Sequence, residues 1–124
     1  MITKNRKLCY TNTDWRINMD AIIIYCTVPD KKIAQEIAKY IVKNHYGACV
    51  SMIDKVDSVF SWDGEMEKEK EVMLMIKTLR TNFEKIKSLI TEIHPYNVPE
   101  IIAVPIVDCS EEYLEWLIHE TQQQ

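Results

Sequence analysis

The pair Asp63-Gly64 limits the fold of this chain more than any other feature. Both residues tolerate positive φ, so the pair reads as the two-residue turn of a β-hairpin. On its near side Val50, Met52, Val56, Phe60 and Trp62 share one parity, with Asp54 and Ser58 as polar members. On its far side Val72, Leu74 and Ile76 keep period two. Each arm spans about 14 residues and so reaches roughly 45 Å at about 3.3 Å per residue. A chain of this length makes a domain with a radius of gyration near about 13 Å, or about 35 Å across. The arms therefore outreach the body that carries them, and Phe60, Trp62 and Met66 travel with them. Apolar strand edges of this kind invite pairing with another chain. The expectation is an oligomer; the alternative is a hairpin bent back onto its own sheet. Glu65, Glu67, Glu69 and Glu71 alternate along the outer arm and so point to one face. They read either as a cation site or as a solvated face balanced by Lys68, Lys70 or a neighbouring subunit.

The flanking segments supply the rest of the architecture. Residues 21–28 form a continuous apolar run, as a strand buried on both faces would. Pro29 and Asp30 end it, and Asp30 suits the N-cap of a helix. That helix shows Ile33, Ile37, Ile41, Ala34, Ala38 and Val42 on one face, with Gly47 as its stop signal. Residues 48–62 and 65–79 are the hairpin arms. Thr81-Asn82-Phe83-Glu84 reads as a capping box opening a second helix, with Phe83, Ile86, Leu89, Ile90 and Ile93 inward and Pro95 as its end. Residues 100–107 suggest a fourth strand, and Pro105 within it argues for a sheet edge or a bulge. Ser110 caps a last helix that packs through Tyr113, Leu114, Trp116 and Leu117. The order is βαββαβ plus a terminal helix. This is the α+β, ferredoxin-like arrangement, and two right-handed crossovers give a sheet ordered 4-1-3-2.

Charge and composition remove several classes of function. The chain of 124 residues carries a formal charge of −4. There is no basic field to attract phosphates, so nucleic acid is not an expected partner. No apolar run approaches the roughly 20 residues of a membrane span, and no signal-peptide pattern is present. A cytoplasmic protein is expected. Residues 1–19 carry net +3 from Lys4, Arg6, Lys7 and Arg16 against Asp14, which leaves −7 for the remainder. They show no periodicity and read as a disordered extension before a domain at 20–121. Cys9, Cys26, Cys49 and Cys109 are widely spaced, and a reducing compartment disfavours disulfides among them.

No nucleophile triad, zinc-protease helix or phosphate-binding glycine loop is present. The chemistry concentrates in Cys26-Thr27-Val28-Pro29-Asp30 and His94-Pro95-Tyr96-Asn97-Val98-Pro99-Glu100. Cys26 lies near the C-terminal end of the first strand, and the 94–100 loop leads into the strand beside it. Cys26 and His94 can therefore share a pocket, with Asp30, Tyr96 and Glu100 nearby. Thiolate and imidazole suit soft or borderline metals such as copper or zinc, or a Cys-His nucleophilic pair. The plainer reading makes Cys26 a small core residue and His94 a cap on helix carbonyls. Cys49 reads as core, and His45 and His119 as surface residues.

These residues resemble a known family. Cys26-Thr27-x-Pro29-Asp30, Ala48-Cys49-Val50, Trp62-x-Gly64, Glu71, Lys77-Thr78, His94-Pro95-Tyr96-x-x-Pro99-Glu100 and Tyr113-Leu114-x-Trp116 are similar, in order, to the CutA proteins over residues 20–118. The resemblance implies a homotrimer of ferredoxin-like subunits with a PII-like architecture, associated with tolerance of divalent cations, copper above all. An enzyme with Cys26 as nucleophile is not expected, because nothing in the sequence fixes an oxyanion site. The resemblance maps the family's copper ligands onto Cys26 and His94, and a further family histidine onto Ile93, so weak copper binding is expected. Gly47 stands where the family usually has alanine. The alternative expectation is a PII-like regulatory trimer that binds a small metabolite between subunits, with Lys77 and Arg80 as the cations that would line the cleft.

Overall fold

A computed structural model describes residues 20–122; the extension expected at residues 1–19 lies outside the described residues. The elements are β1 (Ala21–Val28), α1 (Lys31–Lys43), β2 (Cys49–Trp62), β3 (Glu65–Leu79), α2 (Phe83–Ile93), β4 (Ile102–Pro105) and α3 (Glu111–Thr121). The four strands form one antiparallel sheet ordered β2-β3-β1-β4. This is the α+β, ferredoxin-like arrangement that the segment order predicts. β4 is shorter than expected, and it lies at the sheet edge, where Pro105 costs no ladder bond.

Helices α1 and α2 cover one face of the sheet. Ile22, Ile24, Cys26 and Val28 of β1 pack there with Val72, Leu74 and Ile76 of β3, and with Ile37, Ile41, Ile86 and Ile90 from the helices. The other face is covered only at one end. There α3 sets Leu114, Leu117 and Ile118 against Ala21, Ala48 and Leu79. Beyond α3 this second face carries rows set by register, Ser51–Met75–Tyr25–Ile102 and Cys49–Lys77–Ile23–Val104.

The turn at Asp63-Gly64 has φ of 51° and 80° at its two residues, as the hairpin reading requires. The parity reading of β2 needs correction. Ile53 pairs with Met73 but Val56 pairs with Glu71, so the strand holds one extra residue. Lys55 takes φ 59° at this bulge, and its N–H donates to Asp54 Oδ1 at 2.8 Å. The bulge moves Val56, Phe60 and Trp62 to the face opposite Val50 and Met52. They share that face with Glu71, Glu67 and Glu65, their direct partners.

Three local expectations also differ. Val42 is exposed rather than part of the apolar face of α1. The chain leaves α1 through His45, not Gly47. His45 has φ 61°, its N–H donates to Val42 O at 3.1 Å, and the N–H of Tyr46 donates to Ile41 O at 2.9 Å. That pair of bonds is a Schellman motif with histidine in the left-handed position. The capping box at Thr81 does not form. Residues 80–82 make a 3₁₀ turn, and buried Asn82 donates its side-chain amide to Thr78 Oγ1 at 3.2 Å.

Candidate functional site

Cys26 and His94 meet at one backbone atom, the carbonyl oxygen of Thr27. Period two along β1 turns Cys26 into the helix-covered core, where it is fully buried. Its thiol donates weakly to Thr27 O at 3.8 Å. Burial pushes the thiol up to about 12, with the negative charges of Glu100 and Glu71 adding to the effect. His94 closes α2, its N–H bonded to Ile90 O at 2.7 Å. Its backbone then turns extended before Pro95, which sends the imidazole inward. The Nε2 atom stands 2.7 Å from Thr27 O, and Nδ1 accepts the N–H of Tyr96 at 3.1 Å. Since Nδ1 accepts, the ring proton is on Nε2, where it donates to the carbonyl.

Tyr96 extends the network. Its ring lies 4.6 Å from that of His94, centroid to centroid, and its hydroxyl donates to Glu71 Oε2 at 3.0 Å. Burial and the nearby Glu71 raise the phenol to about 12. Glu71 is 5% exposed, the only one of the four alternating glutamates to be buried. The 94–100 loop is thus pinned to β1 through His94 and to β3 through Tyr96.

The other expected neighbours separate. Asp30 is occupied as the cap of α1, accepting the Ile33 N–H at 2.9 Å. Glu100 is exposed and acts on Cys26 through its charge alone. Ile93 is 37% exposed and offers no donor atom. Cys49 is partly buried with Sγ at 4.0 Å from Lys77 Nζ, and Lys77 also donates to Ser51 Oγ. Arg80 pairs with Asp20 at 3.3 Å. Both cations expected to line a metabolite cleft therefore have partners within the chain. His45 is no free surface residue, since its Nδ1 lies 3.0 Å from Glu120 O. His119 sits beside Glu120 at 3.1 Å. Sequence reasoning did not find the Thr27 carbonyl or the Tyr96–Glu71 bond. The alternation that ends at Glu71 was the available signal.

The donor set suits copper only in part. A thiol and an imidazole are the right donor types for a soft ion. Both imidazole nitrogens already hold backbone partners, however, and the thiol keeps its proton. Among the described residues, no group of three or more His, Cys, Asp or Glu side chains is placed to hold a metal ion. The pair does not make a closed site, which ordinarily takes four ligands.

Comparison with known proteins agrees with this architecture. Residues 22–120 match the family described as "CutA1 divalent ion tolerance protein". A relative from Thermus thermophilus, "Divalent-cation tolerance protein CutA", is 38% identical over 99 residues, covering 80% of this chain and 96% of its own length. "Protein CutA, chloroplastic" from Arabidopsis thaliana is 36% identical over 102 residues, covering 82% of this chain and 56% of its own length. The crystal structure of CutA1 from Oryza sativa superposes with a TM-score of 0.82 at 33% identity, covering 86% of this chain and 97% of that one. With its sheet order, its loop motif and its match over 22–120 all in agreement, the chain belongs to the CutA1 divalent ion tolerance family.

Proposed function

We propose that the protein serves divalent-cation tolerance in the cytoplasm as a homotrimer, taking copper weakly at Cys26 and His94. The convergence of both side chains on the Thr27 carbonyl supports this reading. A copper ion held there would use the Cys26 sulfur and one His94 nitrogen. The thiol must lose a proton and the imidazole a backbone bond, so binding is weak and strengthens with rising pH. The test is a copper titration of the wild type and His94→Ala. Binding at least roughly tenfold weaker in the variant is expected, and equal affinity in both would sink the assignment. No catalytic step belongs to this reading, because the Cys26 thiol is buried and protonated at neutral pH.

A further inference from the structure

The bulge at Lys55 has a chemical consequence at the far end of the hairpin. It places Phe60 and Trp62 on the same face as Glu65, Glu67 and Glu69. Opposite them stands the 95–98 segment, with Pro95 and Tyr96 as its wall. Between the two lies a cleft of about 400 Å³ lined by aromatic rings and the carboxylates of Glu67 and Glu69. Phe60 and Trp62 are 41% and 48% exposed within the single chain. Hydrogen bonding to Glu71 fixes the Tyr96 ring at the cleft wall.

Among the described residues the carboxylates of Glu67 and Glu69 are not paired with the neighbouring lysines of their own strand. Lys68 and Lys70 face the other side of the hairpin, where Lys70 pairs with Asp57 at 3.8 Å. Among the described residues, Glu67 and Glu69 take part in no ion pair. An aromatic cleft lined by carboxylates calls for a cation that also presents apolar surface. A small divalent ion is the wrong shape. Among the described residues no group of three or more His, Cys, Asp or Glu side chains is placed here to hold one.

We infer that this cleft binds a linear aliphatic polyamine. Ammonium groups separated by three or four methylenes stand roughly 5–6 Å apart in an extended chain, close to the backbone spacing of about 6.6 Å between alternate strand residues such as Glu67 and Glu69. Each ammonium meets one carboxylate, while the methylenes lie on Phe60, Trp62 and Tyr96. Neither Cys26 nor His94 lines the cleft, although His94 holds the Tyr96 backbone that carries its wall.

The test follows the indole N–H resonance of Trp62 in the full-length protein during titration with spermidine, n-butylamine and magnesium at constant ionic strength. Spermidine is expected to shift the resonance saturably. Butylamine, with one ammonium, binds at least about tenfold more weakly, and magnesium leaves the resonance unmoved. The double variant Glu67→Gln/Glu69→Gln lowers spermidine affinity at least about tenfold. Absence of a spermidine shift, an equal response to magnesium, or full affinity in the double variant would overturn the proposal. Because both glutamates are exposed, circular dichroism of the double variant should match the wild type.

Discussion

Gly47 is required by its neighbours and not by its backbone angles. A Cβ there would stand 2.8 Å from Ile41 Cγ2 and 3.1 Å from Ile76 Cγ2, both on fully buried side chains. Gly47→Ala should therefore destabilise the fold by about 1–3 kcal/mol, read from urea unfolding. Ile41→Leu, which removes the branch methyl, should restore part of the loss in the double variant. An undiminished penalty in that variant would place the strain elsewhere. Gly47 was legible as a helix-end residue but its role was not. Glycine signals a turn by its freedom, whereas here the left-handed residue is His45 and the glycine makes room for isoleucine. Cys26 makes the second residue-scale prediction. Its thiol titrates near 9 when unfolded and near 12 in the fold, so the native state holds the extra proton between those values. Stability is fully present below pH 9 and falls as pH rises toward 12. Cys26→Ala should flatten that fall relative to the wild type. Tyr96, raised to about 12, adds a separate fall that the variant retains. At neutral pH, native Cys26 should resist an alkylating probe that labels exposed Cys109.

At the scale of the elements, the hairpin shows what local patterns reveal and what they hide. Turn chemistry at Asp63-Gly64 and period two in β3 specify a long hairpin without reference to the rest of the chain. The helices follow from spaced isoleucines and the Asp30 cap in the same way. The bulge has no such signal, because nothing in Asp54-Lys55 marks a residue that will leave the ladder with φ 59°. Counting parity through it put Phe60 and Trp62 on the wrong face. The site had the same gap. Cys26 and His94 were legible, yet their common acceptor is a backbone oxygen 67 positions from His94, which no side-chain motif records. The bulge also yields a prediction. Deleting Lys55 removes the extra residue and leaves the later pairs in step, so Phe60 should still oppose Glu67 and Trp62 Glu65. Cross-strand nuclear Overhauser contacts at those pairs should survive, with stability within about 1 kcal/mol of wild type. Loss of the contacts would show that the bulge sets the register instead of absorbing a residue.

The whole molecule is asymmetric in how it covers its sheet. Two helices bury one face, while α3 reaches only the end of the other. Ile53, Ile102 and Val104, on the uncovered part, are 50%, 52% and 37% exposed, and half-buried Ile23, Tyr25, Met73 and Met75 lie between them. A monomer rarely leaves a continuous apolar face of this kind in water. β4 is a short edge strand, so its outward groups sit where a second copy can approach. Apolar burial at roughly 25 cal/mol per Å² favours covering the face, provided the area exceeds what is needed to offset lost rotational and translational freedom. The proposed trimer supplies that cover. Ile102→Asp with Val104→Asp places two charges on the uncovered face without touching either buried cluster. Native mass spectrometry should then record monomers in place of the wild-type trimer, with the circular dichroism spectrum retained. A wild type that is itself monomeric, or a variant that keeps its subunit count, would show that the sheet face is not what holds the assembly together.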